Sequence, residues 1–243
     1  MEELKISAHT FNLYFDCPRA FYYNMKNYLQ LPIDTEQLLF GSTIHNIIAL
    51  FYEKLKTSNI EDLDRLWDDV YKECSNYVTN KDENRIAKIK QNFLAFERRR
   101  RENSGNDYLV EQRFEAEIQY NNHKIRIVGV IDFYDRQTKT LVDWKTGDTF
   151  LSEHKYVFQA HIYKLLLTKN NLDVNKIIFF NLDTGQHVPI PSVSEKFFNR
   201  KLNEILNSIK NNCFPARKCY LCKNCPYRIR CEFEGVSIWQ IGL

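Results

Sequence analysis

Up to residue 105 the hydrophobic positions recur with helical spacing. In "EQLLFGSTIHNIIALFYEKLK" the residues Leu38, Leu39, Ile44, Ile47, Ile48, Phe51 and Leu55 form one stripe along a helix. "IEDLDRLWDDVYKECSNYV" and "RIAKIKQNFLAFERRRR" follow with the same period. The N-terminal "TFNLYFDCPRAFYYNMKNYL" is aromatic-rich, and Pro18 suits the first turn of a second helix, where the missing N–H has no partner to lose. The period then changes. "DYLVEQRFEAEIQY" and "HKIRIVGVIDFYD" alternate as strands across the turn-like "NNHK", and "KTLVDWKT" reads as a third strand. Beyond it, "EHKYVFQAHIYKLLLTKN" is a helix, "KIIFFNLD" a short apolar strand and "SEKFFNRKLNEILNSIKNN" a last helix. No linker, repeat or low-complexity stretch breaks this series. Helices, a three-strand meander, then helix–strand–helix predict one α/β domain with a mixed central sheet flanked by helices.

Composition changes this picture little. The chain has 243 residues, 44% hydrophobic and 27% charged, which suits a water-soluble globular protein with a full core. No apolar run approaches the roughly 20 residues needed to cross a bilayer, and "MEELKISAHTF" lacks the basic start and apolar centre of a secretion signal. A cytoplasmic protein with no membrane partner is expected. A net charge of +3 is too small to argue for nucleic acid alone. The distribution is more informative: Arg85, Lys88, Lys90 and Arg98 to Arg101 make a basic stretch, which is either a solvated helix end or a phosphate contact.

Candidate chemistry begins at "LVDWKTGDTF". Asp143 and Lys145 are two apart in a strand, so their side chains share a face. Asp132 ends the preceding strand. If the turn "DRQTK" is centred between Gln137 and Thr138, Asp132 faces Asp143, with Cβ atoms about 4.5 to 5.5 Å apart. Two carboxylates that close repel unless a cation lies between them. Hard divalent ions such as Mg²⁺ prefer such oxygens. Lys145 then has a role beyond neutralising Asp143: holding or polarising a water beside the metal. Glu115 and Glu117 share a strand face and are further candidates to reach it.

With these residues placed, "GVIDFYDRQTKTLVDWKTG" resembles the core of the PD-(D/E)XK nucleases, in the branch of the RecB and AddB nuclease domains and the four-cysteine CRISPR-associated exonucleases. That branch has a histidine after a glycine on an upstream helix, matched here by Gly41 and His45 in "FGSTIH". It also has Q-x-x-x-Y on the helix after the lysine strand, matched by Gln159 and Tyr163 in "QAHIY". The resemblance runs from residue 17 to residue 231 in the family's order. It implies a restriction-endonuclease-like core in a single domain over 1–243: a helical part over 1–105, the nuclease core over 106–211 and a cysteine-rich segment over 212–243. It implies Mg²⁺ or Mn²⁺ bound by His45, Asp132 and Asp143, with the Trp144 carbonyl a further ligand. Lys145 would orient the attacking water, and Gln159 and Tyr163, one helical turn apart, would steady the site or the DNA backbone. The expected activity is metal-dependent DNA exonuclease action at single-stranded ends, 5′→3′. The expected setting is recombination, repair, phage replication or CRISPR adaptation, beside a helicase or another protein of those pathways.

Seven cysteines in such a chain do not suggest disulfides. Four fall within "CYLCKNCPYRIRC", close enough for a shared metal. Cys219, Cys222, Cys225 and Cys231 would make a self-contained tetrahedral zinc site. The resemblance implies instead that Cys17, in "DCPRAFYY", joins Cys222, Cys225 and Cys231 around a 4Fe–4S cluster. Two rival functions stand beside the nuclease: a catalytically inert DNA-binding module and a zinc-stabilised interaction scaffold.

Overall fold

The computed structural model describes residues 4–28, 36–57, 61–74, 82–147 and 153–231. The element order is β1 (Leu4–Ile6), α1 (Ala8–Asp16), α2 (Pro18–Met25), α3 (Glu36–Thr57), α4 (Leu63–Cys74), α5 (Glu83–Asn103), β2 (Tyr108–Tyr120), β3 (His123–Asp135), β4 (Thr140–Lys145), α6 (Glu153–Lys169), β5 (Lys176–Asn181), β6 (His187–Pro189) and α7 (Glu195–Lys210). Two short 3₁₀ turns, Tyr220–Asn224 and Arg228–Arg230, follow. The chain divides into two compact units, residues 1–5 with 36–192 and residues 6–35 with 193–243. They are termed the sheet unit and the cysteine unit.

The sheet unit is built on a mixed six-stranded sheet with the order β1-β3-β4-β5-β6, β2 pairing with β3 as well. The two long strands β2 and β3 form a hairpin over Asn121 and Asn122, both at positive φ (47° and 61°), a backbone that Asn tolerates better than most residues. β3 and β4 pair antiparallel with Phe133 opposite Val142, Tyr134 opposite Leu141 and Asp135 opposite Thr140. That is the register of a turn centred between Gln137 and Thr138. The next opposed position would match Asp132 with Asp143, and there the ladder stops. β4 and β5 are parallel, which explains their near-continuous apolar runs, since a parallel pair is covered on both faces. Phe133, Val142, Trp144, Ile178 and Phe180 bury against α3, α4 and α5 in a core that includes Phe40, Phe51, Tyr52, Trp67 and Phe93.

The basic stretch at the end of α5 is not a free cationic face. Arg100 is buried and donates through Nε and Nη2 to the fully buried Glu97, and through Nη1 to Asp135 and the Gly105 carbonyl. Tyr52 donates its hydroxyl to Glu97 at 2.8 Å. Arg101 pairs with Glu97 at 3.4 Å and Arg98 with Asp64 at 2.5 Å. Of the four arginines, the structure turns one into core and engages two in ion pairs.

In the cysteine unit Ser7 and Thr10 form a reciprocal cap at the start of α1. Phe11 on that helix stacks on Phe198 of α7, and the Tyr14 hydroxyl donates to the Glu204 carbonyl. Pro18 is the first residue of α2, the place its ring suits. Ala20, Tyr23 and Tyr227 form a small buried cluster against which Leu13, Cys17, Tyr22 and Cys225 pack. Three bonds fix the C-terminal segment to α2: Arg19 Nε to the Phe214 carbonyl, Tyr23 Oη to the Arg230 carbonyl, and Asn24 Nδ2 to Tyr227 Oη.

Candidate active site

The site lies where β3 and β4 part. His45 projects from α3, whose apolar stripe anchors the helix in the core on either side through Ile44, Ile47 and Ile48. Gly41, one turn earlier, has a packing reason: a Cβ there would stand 3.1 Å from Thr146 Oγ1, so glycine lets the helix approach the end of β4. His45 Nε2 lies 3.1 Å from the Trp144 carbonyl, which can only accept, so that nitrogen carries the proton. Nδ1 faces the acids, 3.2 Å from Glu111 Oε1 and 3.6 Å from Asp132 Oδ2.

Glu111 is the member that sequence reasoning missed. It sits inside β2 yet has a φ of +45°, so the ladder to β3 skips it and its register partner Asp132. A left-handed residue costs on the order of 1–2 kcal/mol in a non-glycine, and such strain concentrates at functional sites. The signal was present in the sequence: a hairpin turning at Asn121–Asn122 sets residue 111 opposite residue 132. Glu115 and Glu117, the acids singled out instead, are exposed and engaged by Arg113 and Lys124. His45, Glu111 and Asp132 each offer one ligand atom within 4.8 Å of the others.

Beside this triad stands a second group. Asp143, almost wholly buried, accepts from Gln159 Nε2 at 2.8 Å through Oδ1. Its Oδ2 lies 2.5 Å from Lys145 Nζ in a close charged contact. Gln159 also donates to the Tyr163 hydroxyl at 2.9 Å, and its carbonyl oxygen is 3.4 Å from Lys145. Lys145 lies over the rings of Phe179 and Tyr156 at 5.1 and 5.6 Å. Trp144, next to Asp143 on β4, links the groups by backbone: its N–H donates to Asp132 Oδ2 at 2.8 Å while its carbonyl faces His45. Its indole is buried in the core.

The electrostatics are those of an overcrowded anion cluster. Burial and the neighbouring Asp143 push the Asp132 carboxyl from 3.8 up to about 7, despite His45 and Lys145. Burial alone would lower the pKa of His45. Asp132 and Glu111 overcome it and raise the ring to about 9. Lys145 behaves likewise, burial opposing and Asp143 and Asp132 prevailing, so its ammonium is fixed in the charged form. Burial and the same two acids hold the Tyr163 phenol well above its usual range. Protons on His45 and Asp132 therefore offset charge that a hard cation would offset better. The donor set, one imidazole nitrogen and carboxylate oxygens, fits Mg²⁺ or Mn²⁺.

The cysteine unit holds a second donor set. Burial raises the pKa of the Cys225 thiol, the Tyr227 amide opposes this, and Cys17, Cys222 and Cys231 raise it further. Cys17 and Cys225 also pack on the same small buried cluster. The Arg217 amide lies 3.4 Å from Cys17 Sγ and the Cys219 amide 3.3 Å from Cys222 Sγ, donors that would stabilise bound thiolates. Cys74 packs on the sheet-unit core, and Cys213 is exposed.

A sequence model of the PD-(D/E)XK nuclease superfamily matches residues 5–232. Among solved structures, a protein from Eubacterium rectale described as a "putative exonuclease" superposes with a TM-score of 0.54 at 14% identity, covering 98% of this chain and 94% of its own. A second, designated SSO0001, gives a TM-score of 0.48 at 16% identity, over 96% of this chain and 87% of its own. No curated protein sequence matches the chain.

Proposed function

The chain belongs to the PD-(D/E)XK nuclease superfamily, and from that premise we propose that it is a divalent-metal-dependent deoxyribonuclease acting on single-stranded DNA ends. The observation that carries this reading is the convergence of His45, Glu111 and Asp132 beside the Asp143–Lys145 pair. Inert binding does not call for an ammonium and three buried or half-buried acids at one point.

In this reading His45, Glu111, Asp132 and Asp143 hold Mg²⁺ or Mn²⁺, and the Trp144 carbonyl orients His45 rather than serving as a ligand. When bound, the cation supplies Lewis acidity to the scissile phosphate and offsets its developing charge. Lys145, kept cationic by the two aspartates, positions a water for in-line attack and adds fixed positive charge where the transition state gains negative charge. Gln159 holds Asp143 and Lys145 in place, with Tyr163 bracing the amide. Action at DNA ends is supported by the exonuclease name carried by the E. rectale neighbour, and a helicase partner would supply unwound strands. Among the described residues no helix is long and apolar enough to cross a membrane.

Cys17, Cys222, Cys225 and Cys231 are assigned to a 4Fe–4S cluster acting as a structural clasp. Supporting this over a local zinc site is the packing of Cys17, a residue remote in sequence, against the same Ala20–Tyr23–Tyr227 cluster as Cys225.

The test is digestion of end-labelled single- and double-stranded DNA with Mg²⁺ or Mn²⁺, read on a denaturing gel. Stepwise shortening from single-stranded ends is expected, with Asp143→Ala and Lys145→Ala each slower by about 10²- to 10³-fold or more. Undiminished cleavage by either folded variant would exclude this site, and polarity follows from which labelled end survives.

A further inference from the structure

The two units differ in charge. The cysteine unit carries eleven Lys and Arg against six Asp and Glu, a net +5, whereas the sheet unit carries 23 against 25, a net −2. Five of the eleven cations, Arg217, Lys218, Lys223, Arg228 and Arg230, fall within the cysteine segment, with no acid between residues 205 and 231. Lys218 and Lys223 are exposed, Arg228 is half-buried, and none of the three has a carboxylate partner among the described residues. The chain's other cationic run, at the end of α5, is largely spent on Glu97, Asp135 and Asp64.

Apolar groups accompany these cations. Tyr28 is 37% exposed at the edge of a ring cluster, 5.4 Å from Tyr23 and 6.2 Å from Tyr22, with the Arg230 guanidinium 5.1 Å from its ring centre. Ile229, between two arginines, is 54% exposed. Hydrogen bonds tether the segment: Tyr23 Oη donates to the Arg230 carbonyl, Asn24 Nδ2 to Tyr227 Oη, and Arg217 Nη1 to the Phe15 carbonyl at 2.5 Å. An exposed ring and an exposed aliphatic side chain, among cations with no carboxylate partner among the described residues, match a polyanion whose bases are unstacked. A duplex offers phosphates but keeps its base faces covered.

We propose that this face of the cysteine unit, formed by Lys218, Lys223, Arg228, Arg230, Tyr28 and Ile229, is the binding surface for single-stranded DNA, and that the arginine run of α5 is not. The proposal deepens the nuclease reading and rests on it, assigning the grip on the substrate to the unit that holds the cysteines.

The full-length protein, with all its cysteines, is titrated into a fluorescent single-stranded oligonucleotide in EDTA, and anisotropy is followed across a salt series. The variant Lys218→Ala/Lys223→Ala/Arg228→Ala is expected to bind about ten-fold more weakly or worse, with the slope of log K against log salt reduced by about 2, near 0.7 for each phosphate no longer neutralised. Tyr28→Ala is expected to weaken binding about five-fold or more with the slope unchanged, the mark of weakened stacking. The charge-preserving Lys218→Arg/Lys223→Arg/Arg228→Lys should bind as the parent does. A triple alanine variant with the parental affinity and slope overturns the proposal. So does a loss equal in the charge-preserving variant, a larger loss in Arg98→Ala/Arg99→Ala, or tighter binding of blunt duplex that Tyr28→Ala leaves unchanged. Because EDTA separates binding from hydrolysis, a parent protein that cleaves with Mg²⁺ while the triple variant still binds would sink this surface and spare the nuclease reading.

Discussion

At the scale of single residues, Glu111 combines an unfavourable backbone with a carboxylate in the candidate metal triad, and two substitutions separate these effects. Glu111→Ala and Glu111→Gly both remove the ligand, and each should raise the Mg²⁺ or Mn²⁺ concentration for half-maximal cleavage by about ten-fold or more. Only glycine relieves the positive φ. Glu111→Gly should therefore be the more stable by about 1 kcal/mol, or roughly 2–4 °C in Tm. Equal melting points would show that the left-handed backbone stores no strain. His45 and Asp132 make a second prediction. In the metal-free fold both pKa values are raised, to about 9 and about 7. Stability from these bound protons is complete below each group's ordinary value and is lost as pH rises through 7 and then 9. A divalent cation replaces those protons. The gain in Tm on adding Mn²⁺ should thus grow between about pH 6 and pH 9, as differential scanning would read it; a gain that is flat or largest at the acid end contradicts the assignment.

At the scale of elements, α5 shows how far composition misleads. Its arginine run resembles a nucleic-acid contact, but Arg100 neutralises Glu97 and Asp135 inside the sheet unit. Arg100→Ala strands two carboxylates in low dielectric and should cost about 3–5 kcal/mol in chemical denaturation. A loss below about 1 kcal/mol would mean water reaches those acids. Periodicity made α3 to α7 and the strands β2 to β5 legible, because each buries one face or both, and the β3–β4 turn set the Asp132–Asp143 register. β1 and β6, three residues each, are too short for any period to show, so the N-terminal part did not read as containing a strand. Which arginine of a run turns inward depends on where a neighbouring helix and hairpin end, and sequence spacing does not carry that. Glu111 escaped for a related reason: register from the Asn121–Asn122 turn was readable, but a left-handed residue within an alternating strand leaves no mark in the alternation.

At the scale of the whole molecule, the cysteines divide the two metal readings cleanly. If Cys17 is a cluster ligand, Cys17→Ser should yield a colourless protein, and Cys219→Ser a brown one like the parent. Loss of colour from Cys219→Ser alone, or a colourless zinc-containing parent, would reject the cluster. A bond network joining residue 17 to residues 222–231 closes a long loop; by analogy with a disulfide of that span it removes roughly 4–5 kcal/mol of unfolded-chain entropy. Cys17→Ser should accordingly lower the melting temperature as well as bleach the protein. The peptide at Trp144 has a different reach. Its amide and carbonyl fasten two of the polar groups of the candidate site, while its indole is wedged among Phe93, Phe96, Phe133 and Phe180. Hydrophobic packing and the alignment of the candidate site thus meet in one residue, so under the proposed function evolutionary drift in the greasy interior is exposed to selection for strand scission even where it spares the melting point.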